Sequence, residues 1–293
     1  MEEDKYWIWV SRLKNIRNTT IINLLQKYKS IKNIYDLTEK QLLQNKLNDI
    51  ELKQIQKQEY KENLEKYLKY MNDNNIEIIS IQNNSYPAKL KTISDPPIVL
   101  FVKGNKQILN QKSIAIVGCR DASLYGKQIA ENMAYNLSKN NINVISGLAI
   151  GVDSYAHIGA IKMCKNSGKT IAVIGSGIDN IYPKQNIQLA NAIIKSGGAI
   201  ISEYIIGTKP EKIHFPARNR IISALSDGVL VIEAKEKSGT LITVDFALEQ
   251  GKDVYVIPGN INNINSVGTN KLLKQGANPV TQVEDIINNL NVL

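Results

Sequence analysis

The sequence predicts an α/β protein: an extended Rossmann-like, doubly wound, mostly parallel sheet with a small all-α region in front of it. Three observations carry this. From residue 76 onward, short runs of β-branched and apolar residues recur. Most of the later runs are separated by segments long enough for a crossover helix. Residues 5–72, in contrast, place apolar residues three and four apart with no strand pattern between them. Short, fully apolar strands alternating with helices imply a parallel sheet covered on both faces.

In the first part, Trp7, Val10 and Leu13, then Ile21, Leu24 and Leu25, then Leu64, Tyr67, Leu68 and Met71 mark the buried sides of helices. The charges between them read as solvated faces rather than as a second nucleic-acid surface. After NDNN at 72–75 the texture changes, so the chain is expected to divide into a helical domain over 1–72 and a sheet domain over 73–293. The predicted strands are IEIISI from 76, PIVLFV from 97, SIAIVG from 113, NVISG from 143, TIAVIG from 170, AIISE from 199, GVLVIE from 228 and DVYVIP from 253. Crossover helices are expected over 125–140, 152–164, 186–197 and 240–250.

The 293 residues carry a formal charge of +9, spread over both parts, which favours an anionic partner without a polybasic tail. Cys119 and Cys164 are the two cysteines, and no CxxC or Cys/His spacing suggests a disulfide framework or a metal site. The acidic start MEEDKYWIWV is unlike a signal peptide, and no run of about 18 apolar residues suggests a membrane span. A cytoplasmic protein with no membrane association is expected.

In open parallel sheets, ligands bind outside the carboxyl ends of the strands, near the switch in strand order. The predicted strands end in GCRDASLYG, GLAIGVD and GSGID, which place Gly118, Gly147 and Gly175 at one rim. Ser238 and Gly239, in SGT after VLVIEAKEK, join them. Glycine after a strand is ordinary punctuation when taken singly. Repeated at one edge, with Arg120 in the first loop, it points to a crevice that admits an anion to backbone N–H groups and helix starts. HFPARNRIISAL, residues 214–225, adds Arg218, Asn219 and Arg220 at what reads as a first helical turn. Cations oppose the helix dipole there, so an external phosphate is the expected reason for them.

Other chemistries find little support. No complete GxGxxG occurs; in GSGIDN, Asn180 takes the third glycine's place, and Glu203 lies too far on for a ribose ligand. GxxxxGK[ST] is absent as well, so no nucleotide cofactor is expected. Asp153 and His157 stand four apart, as an acid–base pair would or as residues holding a helix start would. Ser146 and Ser238 have no evident partner base, and no catalytic group is assigned.

Seven ordered stretches carry a resemblance: SYPAKLKTISDPPIVLFVKG, SIAIVGCRDASLYG, VISGLAIGVDSYAH, GKTIAVIGSGIDNIYP, IISEY, HFPARNRIISALSDGVLVIEAKEKSGTLIT and VIPGN…GTNKLLKQGA. Over roughly residues 85–280 the chain resembles the bacterial DNA-processing protein A (DprA, also called Smf) family. The resemblance implies a single-stranded DNA-binding protein of natural transformation that protects incoming DNA and loads the RecA recombinase. It also implies a homodimer through the C-terminal part of the Rossmann domain and a sterile-alpha-motif-like helical domain at the N-terminus. The pattern ends after QVEDIINNL, so no C-terminal winged helix is expected.

By resemblance, Arg120 is the arginine of the family's glycine-serine-arginine turn, and Lys212 and Phe215 precede its arginine-asparagine-arginine motif. Cys119 replaces the usual serine, and Ile150 replaces a common basic residue. The expected mode is cations tracking phosphates, with Phe215 stacking on a base. Phe215 could instead be core, and Arg218 could hold the fold through Glu203 or Glu233. The competing class is a phosphoribohydrolase resembling lysine decarboxylases, whose threonine turn SGTLIT resembles. Its catalytic glutamate closely follows that threonine, whereas Thr240 here is followed by Leu241, Ile242, Thr243 and Val244.

Overall fold

The computed structural model describes residues 3–162 and 167–290. Cys164 and the end of the helix expected over 152–164 lie outside the described residues.

Six helices open the chain: α1 (Asp4–Arg12), α2 (Asn18–Tyr28), α3 (Ile31–Tyr35), α4 (Glu39–Leu43), α5 (Asp49–Gln56) and α6 (Leu64–Asp73). Thr38 and Asn48 start α4 and α5 with reciprocal capping boxes, each satisfying two backbone donors that the helix cannot. Trp7, Ile8, Trp9 and Val10 of α1 are all buried. They belong to an apolar cluster that continues through Phe101 and Ile200 of the sheet, so the helices pack on the sheet and share a core with it.

The nine strands among the described residues are β1 (Ile76–Ser80), β2 (Val99–Gly104), β3 (Ser113–Val117), β4 (Asn143–Ser146), β5 (Thr170–Val173), β6 (Ala199–Ser202), β7 (Gly228–Val231), β8 (Asp253–Val256) and β9 (Asn278–Pro279). They form one sheet in the order β1-β2-β6-β5-β4-β3-β7-β8-β9. β2 runs antiparallel to both neighbours, and β6 through β9 pair in parallel. Eight strands lie where the apolar runs put them. The two-residue β9 carries no pattern long enough to read.

The remaining helices are α7 (Leu124–Lys139), α8 (Val152–Ile161), α9 (Ile187–Lys195), α10 (His214–Leu225), α11 (Gly239–Glu249), α12 (Val267–Lys274) and α13 (Glu284–Leu290). α7, α8 and α13 share one apolar cluster, whereas α10, α11 and α12 share another. The sheet is covered on both faces, as fully apolar strands require. α10 begins at His214, about a turn earlier than the arginines suggested. Pro216, in its first turn, lacks an N–H that would have no intrahelical acceptor there.

The strand order fixes where a ligand can enter. From β3 the chain winds through β4 and β5 to β6 on one side, then returns to place β7 on the other side of β3. The connections after β3 and β7 leave in opposite directions and open a crevice between them.

Candidate functional site

A cleft of about 580 Å³ opens at this switch point. Gly118 and Arg120 reach it from the turn after β3. Lys212, Phe215, Arg218 and Asn219 come from the approach and first turns of α10, and Ser238 and Gly239 from the start of α11. Phe215, Asn219 and Ile222 lie four and three residues apart on α10, which puts them on one helix face. Ser238 caps α11 by accepting from Thr240 N–H at 3.2 Å, so the positive end of that helix dipole meets the cleft.

The two arginines of α10 do not act as expected. Arg218 is buried, and its Nη1 donates to Gly147 O at 2.7 Å and also to Val173 O, tying together the ends of β4 and β5. Burial lowers its pKa to about 10, with Asp153 opposing the shift and Arg120 adding to it, so it stays cationic at neutral pH. Neither Glu203 nor Glu233 holds it. Glu233 instead accepts from Ser123 N–H and Oγ–H, at 2.9 and 2.5 Å, and braces the turn after β3. Arg220 leaves the cleft altogether: it forks onto Glu203 and donates through Nε to Asp95 O at 2.9 Å. Residues two apart on a helix point about 200° from one another, so Arg218 and Arg220 cannot face one ligand. Both are drawn by acceptors of the protein itself, and the phosphate expected to explain them is not needed.

Of the exposed cations lining the cleft, Arg120, Lys212 and Lys237 form no ion pair among the described residues. Lys237 escaped the sequence reading, although its place just before SGT at a switch-point turn was a usable signal. Lys235 also lines the cleft but pairs with Asp121 across its mouth. The Arg120 guanidinium lies 5.6 Å from the Phe215 ring centroid, within cation–π range, and Phe215 is half-buried.

The glycines serve close packing. A Cβ on Gly118 would stand 2.6 Å from Val152 Cγ2, and one on Gly175 would stand 3.2 Å from Phe215 Cδ1. Gly175 is thus the backing of the Phe215 ring rather than part of the cleft wall. Gly147 borders an adjoining slot. A Cβ there would meet Arg218 Nη2 at 2.5 Å and Asp153 Oδ2 at 2.7 Å. The turn it begins is clamped three ways. Asp153 accepts from the N–H groups of Gly147 and Ala149, Arg218 donates to Gly147 O, and Asn186 Nδ2 donates to Leu148 O at 2.8 Å. Leu148, in the middle, has φ 55°, a left-handed conformation that a leucine keeps only when its surroundings hold it. Burial raises the pKa of Asp153, against the pull of Arg218 and of these backbone donors.

His157 does not pair with Asp153. Its Nδ1 lies 2.7 Å from Thr170 Oγ1, the ring is fully buried, and burial followed by the Arg218 charge lowers its pKa to about 3. Cys119 is buried, and burial pushes its thiol up. Ser146 donates to Ile116 O inside the sheet. No described helix is long and apolar enough to cross a membrane.

Residues 77–291 match the family described as DNA recombination-mediator protein A. The DNA processing protein DprA of Bacillus subtilis is 44% identical over 216 residues, which cover 73% of this chain and 71% of that protein. The X-ray structure of DNA processing protein A from Streptococcus pneumoniae superposes with a TM-score of 0.78 at 35% identity, covering 97% of this chain and 96% of that one. DNA processing protein A from Helicobacter pylori, whose structure was described for its single-stranded DNA binding mode, gives 0.65 at 34% identity over 73% of this chain and 95% of its own.

Proposed function

Because this chain belongs to the DNA recombination-mediator protein A family, we propose that its switch-point cleft binds single-stranded DNA. The observation that carries the reading is the placement of Arg120, Lys212 and Lys237, three cations without ion pairs, around a half-buried Phe215 ring at the start of α11. Cations that track phosphates, joined to a ring that stacks on a base, are the two elements of sequence-tolerant single-strand binding. The role of each cation follows from its side chain. Arg120 contacts a phosphate through two parallel N–H groups, whereas the lysines act as point charges on flexible stems.

Asn219 borders the contact surface beside Phe215, Arg218 lines the cleft while its Nη1 holds the wall carbonyls, and Gly147 makes room for it; Arg220 belongs to the scaffold. Ser238 and Gly239 present the first-turn N–H groups of α11 to a phosphate oxygen. The chain acts as a binding protein in the cytoplasm, protecting incoming strands during natural transformation and passing them to the RecA recombinase. It works as a homodimer through the C-terminal part of the sheet domain. Relatives named as DNA processing proteins, one of them described for its single-stranded DNA binding mode, support the DNA-binding part of the reading.

Titration of a labelled oligonucleotide tests the site. Replacing Arg120 and Lys212 together by alanine weakens binding and lowers the slope of log affinity against log salt by about 0.7 for each phosphate no longer neutralised. Unchanged affinity in a folded double variant rejects the cleft. A phosphoribohydrolase reading requires a carboxylate close behind Thr240, where Leu241, Ile242, Thr243 and Val244 stand. Release of free base from nucleoside monophosphates would restore that reading.

A further inference from the structure

Beside the cleft lies a second, smaller recess, lined by Ile150, Tyr182, Pro183 and Phe215, with Arg120 at its edge and Arg218 beneath. The two spaces share Arg120, Ala149, Tyr182, Phe215 and Arg218, so Tyr182 stands on the boundary between them, but their remaining walls differ in chemistry. On the α11 side the walls bring Lys212, Lys235 and Lys237. On the side of the turns after β4 and β5 the walls are apolar, and Arg218 is occupied by Gly147 O and Val173 O. The recess holds only about 60 Å³, too little to enclose a base, and we propose that its mouth is a base-binding slot at which Tyr182 and Ile150 take a second nucleobase of the bound strand, next to the one on Phe215. The inference rests on the single-stranded DNA reading of the cleft.

Three features argue for a base. Tyr182 and Ile150 are large apolar side chains, 45% and 46% exposed, on the rim of a cation-lined cleft. Exposed apolar surface that continues directly from a charged groove suits a ligand with charges on one edge and flat rings on the other, and a nucleic-acid strand is that ligand. The Tyr182 and Phe215 rings also lie 5.6 Å apart at 39°. That spacing is too close for a base to intercalate, so a base lies against the outer face of Tyr182, towards Ile150.

The walls are also pre-organised, which reduces the entropy lost on binding. Asn186, at the end of the turn that carries Tyr182, donates to Leu148 O, to Ala149 O and to Ser154 Oγ at 2.8, 3.2 and 2.9 Å. It locks that turn to the one carrying Ile150. The strand is therefore oriented, with phosphates towards α11 and bases towards the β4 and β5 turns.

The test compares an oligothymidylate with a strand of equal length whose residues are abasic, in binding titrations with the full chain. Tyr182→Ala weakens binding of the thymidylate between about 5-fold and 150-fold, the value of one stacked base, and leaves the abasic strand unaffected. Tyr182→Phe restores the thymidylate affinity. Ile150→Lys, which leaves the Tyr182–Phe215 contact in place, steepens the salt slope by about 0.7 and narrows the gap between the two strands. Equal losses on both strands, or no loss with Tyr182→Ala, overturn the slot while the salt-dependent binding through Arg120 and Lys212 stands. Failure of the unaltered protein to bind the thymidylate removes the cleft and the slot together.

Discussion

Arg220 holds Glu203 in a forked ion pair, Nη1 to Oε1 and Nη2 to Oε2, both at 2.6 Å, with 8% and 14% of the two side chains exposed. The pair joins α10 to the end of β6, and Asp95 closes it from the loop before β2. Burial alone would lower the pKa of Arg220, but the Glu203 carboxylate raises it above the usual arginine value. This is scaffold, built beside the switch-point cleft from a residue whose neighbours in sequence line that cleft.

Arg220→Ala leaves the Glu203 carboxylate buried and unpaired, which costs about 3–5 kcal/mol. Chemical denaturation should show that loss. The slope of DNA affinity against salt should stay at its original value at temperatures where the variant is folded. A reduced slope would return Arg220 to the phosphate-contacting set.

Lys235 lines the cleft with its charge paired to Asp121, whose carboxylate its ammonium holds below the usual range. Asp121→Asn should release that lysine, tighten oligonucleotide binding at low salt and steepen the salt dependence by about 0.7. An unchanged slope would show that Lys235 does not reach a phosphate even when free.

Gly147→Ala sets a methyl group 2.5 Å from Arg218 Nη2 and 2.7 Å from Asp153 Oδ2, neither of which is the free end of a mobile side chain. Overpacking of this kind costs about 1–3 kcal/mol, and it should loosen the clamp that holds the 147–149 turn. Melting temperature and single-strand affinity should fall together. A variant as stable as the parent would mean that the turn can shift without penalty.

His157 makes stability depend on pH. Burial lowers its pKa from 6.5 to about 3, so between these values the unfolded chain holds a proton that the folded one does not. Stability is full above pH 6.5 and falls on acidification by about 1.4 kcal/mol per pH unit through that window. His157→Gln, which keeps a polar partner for Thr170, should flatten the profile between pH 6.5 and 4 in urea titrations. Parallel profiles for variant and parent would exclude His157 as the cause.

Much of the scaffold could be read in advance because it rests on periodicity. Apolar runs at 113, 143, 170 and 228 are strands buried on both faces, and the helices between them follow from the crossover that a parallel pair requires. The glycine turns after β3, β4 and β5 lie at the strand ends that border the switch-point cleft or its adjoining recess. Their cause differed: at Gly118, Gly147 and Gly175 the missing side chain makes room for Val152, Arg218 and Phe215. Two cations two residues apart in one motif read alike in sequence, although helix geometry already points Arg218 and Arg220 in different directions. Tyr182 was missed because its neighbours in the cleft come from distant segments, whereas Lys237 stood in a readable turn just before SGT.

The sequence by itself determined the fold class, the covered sheet and the family, since these depend on patterns within one element or on ordered motifs along the chain. Tertiary structure alone decided which cations are free. A charge is occupied or available according to the carbonyls and carboxylates that fold against it, and those come from β4, β5 and β6 for the arginines of α10. The chemistry of HFPARNRIISAL therefore divides by direction: Phe215 faces the cleft, Arg218 borders it while bonded to the carbonyls of Gly147 and Val173, and Arg220 turns away to Glu203.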